Sequence, residues 1–471
     1  MSEAKTSFNF NPKDITTVTH TVAISDVRAS QILGKGDVEE ALKTCLEHGI
    51  SQFSVSALQM RMMIAMRKGN WEDSNKLIKQ IIDIRADSLA WKMAGDNAFL
   101  QVKFDQAEDH YRKAHLLAPD NAEIIHDLGV AVISQGRIDE GIGFFRKALE
   151  LVPDRADFHH HLAIMLVLGG HLEEGWREME WRLQVPGVCG GFPEPEKYWK
   201  GEDLTGKTIV VRSEQGWGDT IQFSRYIPEL QKRAKKVYFF CQRAMVPWVK
   251  RYCPMVETWP NDCPPPLDFD YHVNLMSFPS IFQDMYLPVP ARTHVKGDGI
   301  GICWFGSPTH KADHLRTVPI ERFEPVSQAA GRNLYCLGYG RFDKKPEYID
   351  YLIDRCRDWA ETAEIVQKLD LIITVDTAIA HLGGFLGVET WLLLPYVPDF
   401  RWGMSGDRTP WYDSVRIYRQ PKLMDWDSVF AKVCDDLRLR MASKPLQGAA
   451  DFSSPPPLTA APSFFAHEGE R

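Results

Sequence analysis

The sequence has no excess of basic residues. Its 471 residues include 55 lysines and arginines against 63 aspartates and glutamates, which gives a net charge of −8. A dedicated nucleic-acid-binding protein usually carries a strongly basic domain, so no nucleic-acid partner is expected. With 44% hydrophobic and 25% charged residues, the composition is that of a globular protein, and the length corresponds to about three domains.

Long apolar runs and a cysteine framework are also missing. No segment reaches the 18 uncharged apolar residues that a membrane-spanning helix needs, because the nearest, 369–397, is interrupted by Asp370, Asp376, His381 and Glu389. The nine cysteines include no C-x-x-C pair, and the first residues lack the basic and apolar pattern of a leader peptide. We therefore expect a cytoplasmic protein with buried thiols and no transmembrane segment.

A 34-residue repeat occupies the N-terminal third. The spacing recurs in pairs of identical residues: Gly95 and Gly129, Ala114 and Ala148, Pro119 and Pro153. Small residues let the two helices of a pair approach closely, and the proline ends the second helix. The period predicts an α-solenoid of about four to five tetratricopeptide repeats over residues 22–188. The segment 441–471, rich in Ala, Ser and Pro, is predicted to be a disordered tail.

Behind the repeats, β-branched runs alternate with helical patterns. One run, 208–211, leads into a glycine loop, and another, 371–375, leads into a helix with apolar residues at helical spacing. Strands that alternate with helices predict parallel sheets, in which ligands bind at the carboxyl ends of the strands. The fold class expected is therefore α + α/β. Two Rossmann-like halves, 200–297 and 298–440, would enclose a cleft.

Candidate site residues follow these strands. Thr377 is expected to cap the following helix, whose N-terminus suits a pyrophosphate, and His381 lies on the same helical face. Lys311 and Arg316 could supply positive charge. Asp219, expected to be exposed at the tip of the glycine loop and to face the cleft, can act as a general base.

These motifs resemble those of bacterial tetratricopeptide proteins fused to a heptosyltransferase-like domain of glycosyltransferase family 9. The resemblance covers roughly residues 85–440 and rests on the segments 214–223, 375–378 with His381 and Leu382, 399–402, 410–412 and 419–420. It implies a GT-B fold, with a nucleotide-sugar donor held mainly by the C-terminal half and an acceptor held by the N-terminal half.

The resemblance also implies roles for individual residues. Asp219 matches the catalytic base, and Asp376 matches the acidic residue of the donor segment. The donor-phosphate segment itself corresponds to Thr377, Ala378 and His381, and the first loop to Glu214, Gln215, Gly216 and Gly218. Two departures stand out. Trp217 replaces the leucine between the loop glycines, and the basic loop, which reads Ala312-Asp313-His314-Leu315-Arg316-Thr317, has lost an arginine.

Three patterns imitate metal sites. Asp268 and Asp270 fit the D-x-D motif of metal-dependent glycosyltransferases, but no phosphate-binding glycine loop lies nearby, which favours a structural role. His310, Asp313 and His314 lack a fourth ligand at a usual spacing. The adjacent residues His159, His160 and His161 point in different directions on a helix. We expect no bound metal and no cofactor.

The function expected is an inverting, metal-independent transfer of a sugar from a nucleotide-sugar donor to a hydroxyl acceptor. The acceptor would be a protein or a glycan, and the repeats would recruit the acceptor or a partner. Two alternatives remain. A nucleotide-sugar epimerase could use the same cleft, and the altered 311–317 loop favours a repeat scaffold with a degenerate transferase domain. The sequence identifies neither the sugar nor the nucleotide.

Overall fold

The computed structural model describes residues 37–48, 50–189, 194–263, 268–284, 286–289, 297–308, 310, 312–340, 345–353 and 356–443. The predicted repeat segment before residue 37 and the predicted tail from residue 444 onward lie outside these residues. Two compact units are present. The first contains the described residues up to Met165 together with Ser307–His314, and the second contains Leu166–Gly306 and the described residues from Leu315 onward.

Paired helices build the N-terminal part of the chain. They are α1 Val38–Glu47, α2 Val55–Arg67, α3 Trp71–Ile84, α4 Ser88–Leu100, α5 Phe104–Leu117, α6 Ala122–Ile133, α7 Ile138–Leu151, α8 Ala156–Leu168 and α9 Leu172–Glu178. Pairs begin at Val55, Ser88, Ala122 and Ala156, 33 or 34 residues apart, which confirms the predicted period. The last helix, α9, belongs to the second unit.

Small residues determine how closely the repeat helices pack. A Cβ atom at Gly95 would lie 2.4 Å from the ring of Tyr111, and one at Gly129 would lie 2.9 Å from the ring of Phe145. Each aromatic ring therefore occupies the space that the missing side chain leaves, as the repeat pattern predicts. The second helices of these pairs end two residues before Pro119 and Pro153.

Two parallel sheets form the core of the second unit. The four-stranded sheet contains β1 Thr208–Arg212, β2 Lys236–Cys241, β3 Glu257–Pro260 and β4 Tyr271–Asn274, in the order β3-β2-β1-β4. The six-stranded sheet contains β5 Ile300–Cys303, β6 Leu334–Cys336, β7 Ile349–Tyr351, β8 Leu371–Val375, β9 Thr390–Leu394 and β10 Val415–Arg419, in the order β10-β9-β8-β5-β6-β7. The pairings between these strands are all parallel, which confirms the expected α/β class.

Helices lie between the strands and after the last one. They are α10 Trp217–Phe223, α11 Ile227–Arg233, α12 Val246–Tyr252, α13 Phe278–Phe282, α14 Asp313–Arg316, α15 Glu324–Ala330, α16 Trp359–Gln367, α17 Ala378–Leu386 and α18 Trp426–Ser443. Every residue of β5, β8 and β9 is buried, which is typical of parallel strands covered on both faces.

Each sheet has one point at which the strand order reverses. In the first sheet it lies between β1 and β4, and in the second it lies between β5 and β8. The glycine loop 213–219 follows β1, and the segment 376–378 follows β8. Arg316 lies on the connection after β5. The predicted site segments therefore stand at the carboxyl ends beside the two reversal points, where α/β folds bind ligands.

Candidate functional site

The glycine loop that joins β1 to α10 is a tight turn. Gln215 is exposed and has a φ of 54°, in the left-handed region that residues other than glycine rarely adopt. Its carbonyl oxygen accepts a hydrogen bond from Gln242 Nε2 at 3.1 Å. Gly216 follows as the N-cap of α10. A polar side chain that follows β2 thus stabilises the strained turn.

Gly218 lies where α10 packs against α17. A Cβ atom at Gly218 would lie 2.8 Å from His381 Cδ2 and 3.5 Å from the Cα atom of Ala378. Only glycine tolerates so close an approach to the imidazole ring without displacing it. Helix packing therefore brings the first glycine loop and the predicted donor segment together.

Asp219 is buried, which corrects the expectation of an exposed carboxylate. It is the third residue of α10 and only 8% exposed. Its Oδ2 accepts a hydrogen bond from the backbone N–H of Gly216 at 2.8 Å, because a carboxylate at this position turns back to the helix start. Its Oδ1 forms an ion pair with Arg401. Burial raises the pKa of Asp219, and Arg401 and Gly216 oppose that rise.

Arg401 is a candidate site residue that the sequence did not assign. Its Nη1 donates to Asp399 Oδ1 at 2.7 Å and its Nε donates to Gln222 Oε1 at 2.7 Å. Burial acts to lower the pKa of this guanidinium, but three carboxylates raise it, those of Asp219, Asp399 and Asp376. Arg401 lies in a segment that carried the family resemblance, which was the available signal. No signal in the sequence indicated that Arg401 pairs with Asp219, which lies 182 residues earlier.

Asp376 follows β8 directly and is 8% exposed. Burial and the nearby Asp399 raise the pKa of Asp376 to about 6, against the opposing effect of Arg316. Arg316 Nη1 donates to the main-chain carbonyl oxygen of Asp376 at 2.8 Å. Two of the predicted donor residues therefore meet at the end of β8. Lys311 lies outside the described residues.

Thr377 is the N-cap of α17, as the sequence predicts. Its hydroxyl oxygen accepts a hydrogen bond from the N–H of Ile379 at 3.3 Å. The half-buried residues Thr377 and Ala378 thus form the start of a helix whose N-terminal dipole is positive.

His381 is buried, whereas Thr377, at the start of the same helix, is half-buried. His381 is 4% exposed, its Nδ1 lies 3.1 Å from the hydroxyl of Tyr412, and its ring stacks on Trp402. Burial lowers the pKa of His381 well below its usual value, and Arg401 lowers it further. The imidazole is therefore neutral and packed, because α10 and Trp402 cover it.

Glu214, the first residue of the predicted loop, is held in a buried ion pair. Arg182, in the short 3-10 segment Met179–Gln184, donates to both its carboxylate oxygens at 2.8 and 3.0 Å. The N–H of Met276 donates to it as well. Burial alone would raise the pKa of Glu214, but the pairing with Arg182 keeps that pKa below its ordinary value. Its role in this structure is to fix the loop.

The patterns that imitate metal sites have structural partners. Asp270 accepts a hydrogen bond from the N–H of Thr208 at 2.8 Å and pairs with Lys207, and the structural role expected for this D-x-D motif stays a prediction. His161 Nδ1 lies 2.8 Å from Nε2 of His126. Among the described residues, no group of three or more His, Cys, Asp or Glu side chains is arranged to hold a metal. The absence of a bound metal and of a cofactor stays a prediction.

The tetratricopeptide repeat family matches residues 98–163 of the chain. The match lies within α4–α8 and includes the Gly129–Phe145 packing described above. The chain therefore contains tetratricopeptide repeats, followed by α/β elements with parallel sheets.

One curated relative aligns with this chain over more residues than the repeat family does. The chain is 25% identical over 303 residues to Protein FlbA of Caulobacter vibrioides, an alignment that covers 55% of this chain and 49% of FlbA. The chain thus spans about half the length of this relative.

Among solved structures, residues 41 to the end of MamA from Desulfovibrio magneticus RS-1 match at 19% identity and a TM-score of 0.27. This match covers 36% of this chain and 91% of that one. YrrB, described as a tetratricopeptide repeat protein with an unusual peptide-binding site, matches at 15% identity and a TM-score of 0.28. This match covers 37% of this chain and 91% of YrrB.

No helix in the described part of the chain is both long and apolar enough to span a membrane.

Proposed function

We propose that the second unit is a GT-B glycosyltransferase, which transfers a sugar from a nucleotide-sugar donor to a hydroxyl group of a protein or glycan. The observation that carries the proposal is the meeting of segments from the two reversal points. Gly218, after β1, packs on α17, after β8, and Asp219 pairs with Arg401 of the second half. Ligands bind at such points in parallel α/β folds, and a GT-B site lies between the reversal points of its two sheets.

In the proposed reaction, Asp219 takes the proton of the acceptor hydroxyl. The raised pKa of Asp219 makes it a stronger base than an ordinary aspartate. The hydroxyl oxygen attacks the anomeric carbon of the donor, and the bond from that carbon to the diphosphate breaks. One displacement inverts the anomeric centre.

Charge that develops on the leaving diphosphate needs fixed positive partners. Arg316 and the N-terminus of α17, which Thr377 caps, lie together at the end of β8. Lys311 would add a second cation from the same connection. Because fixed dipoles and cations are already oriented, they stabilise the growing charge and the proposed mechanism requires no metal ion.

The repeats supply the recruiting function in this proposal. Tetratricopeptide repeats indicate a protein partner, and that partner would be the acceptor or would carry it. The cytoplasmic location expected from the sequence and the absence of a nucleic-acid partner stay predictions.

One observation favours a second candidate, a repeat scaffold with a non-catalytic α/β unit. The two acidic residues of the glycine loop are already paired, Asp219 with Arg401 and Glu214 with Arg182. A scaffold would have no need to release either carboxylate. Donor binding separates the two candidates, because a scaffold has no donor to bind.

Isothermal titration of the full chain with a panel of uridine, guanosine, adenosine and cytidine nucleotide sugars tests the proposal. We expect heat for at least one donor, and a loss of about tenfold or more in its affinity in Arg316→Gln, because one charge-assisted contact to phosphate is lost. Arg322→Gln is the matched control, since Arg322 pairs with the exposed Asp427. No heat with any donor would exclude the transferase and favour the scaffold.

A further inference from the structure

Arg401 connects the two halves of the second unit through one guanidinium group. Its Nε and Nη2 contact Gln222 and Asp219 of α10, and its Nη1 contacts Asp399 beside it in the chain. Asp399 also caps the turn that Arg401 occupies, accepting the Arg401 N–H at 3.1 Å. Asp399 therefore stays with Arg401 whenever this turn keeps its shape, whereas Asp219 belongs to another helix.

The ion pair limits Asp219 as a base. A guanidinium in contact with a carboxylate stabilises the charged form and lowers its affinity for a proton. Apart from Arg401, the described partner of the Asp219 carboxylate is the N–H of Gly216. If Arg401 moved to another anion, Asp219 would be a buried carboxylate with one neutral donor, and its proton affinity would rise.

A second observation concerns a buried amide group beside Arg401. Gln222 is fully buried, and its Oε1 accepts from Arg401 Nε. Its Nε2 has no hydrogen-bond partner among the described residues. A buried amide N–H without an acceptor costs about 1–3 kcal/mol. An oxygen atom of a phosphate next to the guanidinium would accept from both Gln222 Nε2 and Arg401.

We infer that Arg401 is exchanged between Asp219 and the diphosphate of the donor, so that donor binding releases the base. The inference rests on the proposed transferase and adds the control of its base. In the transfer step the acceptor O–H bond breaks and its proton goes to Asp219 Oδ1. The acceptor oxygen bonds to the anomeric carbon, and the electron pair of the broken carbon–oxygen bond leaves with the diphosphate, whose charge Arg401 neutralises.

Inorganic pyrophosphate is the probe that tests the exchange, with the full chain and isothermal titration. Because Asp219 competes with the anion for Arg401, Asp219→Asn should bind pyrophosphate about tenfold more tightly than the unmodified chain. Arg401→Gln should bind it at least tenfold more weakly. Arg322→Gln, which removes an arginine paired with Asp427, should change the affinity less than twofold.

A measurement on the unmodified chain covers the case in which Asp219→Asn fails to fold. The carboxyl carbon of Asp219, followed by nuclear magnetic resonance, should titrate at a higher pH when pyrophosphate is bound. Three results would overturn the exchange. Folded Asp219→Asn could bind pyrophosphate equally or more weakly than the unmodified chain, or the Asp219 titration could stay unchanged. The third result is that neither protein binds pyrophosphate.

The outcomes separate the exchange from the transferase. Tighter binding by Asp219→Asn in a chain that transfers no sugar would support the exchange and reject the transferase. The opposite outcome is that the unmodified chain transfers sugar but Asp219→Asn leaves the pyrophosphate affinity unchanged. That outcome would support the transferase and reject the exchange.

Discussion

Two buried carboxylates of the second unit respond to their surroundings in opposite ways. Glu214 is enclosed by Arg182 and a backbone N–H, which hold its pKa below the ordinary value although burial acts the other way. Among the residues that the structure describes, no arginine hydrogen-bonds to the carboxylate of Asp376, and Arg316 donates to its main-chain oxygen instead. Burial and Asp399 therefore raise its pKa to about 6. The charged form of Glu214 therefore stabilises the fold, whereas the charged form of Asp376 destabilises it.

Asp376 gives the stability of the protein a pH dependence. Its pKa is about 6 in the folded chain and ordinarily 3.8, so the folded state holds the proton more tightly. Stability should fall as the pH rises from about 4 to about 6 and then level off. Asp376→Asn cannot ionise, and we expect it to be more stable than the unmodified chain by about 2–3 kcal/mol at pH 7.5 and equally stable near pH 4.

Urea unfolding of the full chain at the two pH values measures this difference. Asp427→Asn is the control, because Asp427 is an exposed partner of Arg322 and should change stability by less than about 0.5 kcal/mol. Equal stability of Asp376→Asn and the unmodified chain at pH 7.5 would show that the Asp376 carboxyl carries no folding penalty.

At the scale of elements, two glycines of one helix provide a matched pair. A Cβ atom at Gly141 of α7 would lie 2.2 Å from Ile133 Cγ1 and 3.0 Å from the carbonyl oxygen of Gly129. A Cβ atom at Gly143 would meet none of the described atoms within 4 Å. The first glycine permits helix packing, whereas the second contributes only backbone freedom.

Alanine should therefore act in opposite directions at these positions. We expect Gly141→Ala to destabilise the repeats by about 1–3 kcal/mol through overpacking. Gly143→Ala should stabilise them by about 0.5–1 kcal/mol, since alanine has the higher helix propensity. Circular dichroism during thermal unfolding compares the two. A stabilised Gly141→Ala would contradict the close packing of α6 on α7.

The elements were more predictable from sequence than the site. The repeat period and the strand over 371–375 follow from local patterns, because each is determined by its own apolar spacing. The burial of Asp219 and His381 depends on Arg401 and Trp402, and on the packing of α10 against α17. No local pattern encodes contacts of that kind. The sequence predicted Asp219 and His381 as site residues, but it did not predict that both side chains are buried.

At the scale of the whole molecule, the end of the repeat array is part of the α/β unit. Trp176 of α9 is 2% exposed, and its ring packs edge-to-face on Phe223 of α10 and on Phe400, next to Arg401. Arg182, shortly after α9, holds Glu214. Helix α9 thus packs against both elements that carry the Asp219–Arg401 pair. In the proposed function, the same chain that recruits a partner positions the base.

Sugar transfer by the full chain tests the central proposal most directly. The unmodified protein and Asp219→Asn are incubated with the donor that titration identifies and with proteins that bind the repeats, and intact masses are then measured. We predict a sugar-sized mass increase with the unmodified protein, and none with Asp219→Asn although that variant still binds the donor, because the acceptor hydroxyl keeps its proton. An equal mass increase with both proteins would contradict Asp219 as the base, and none with either would contradict the transferase.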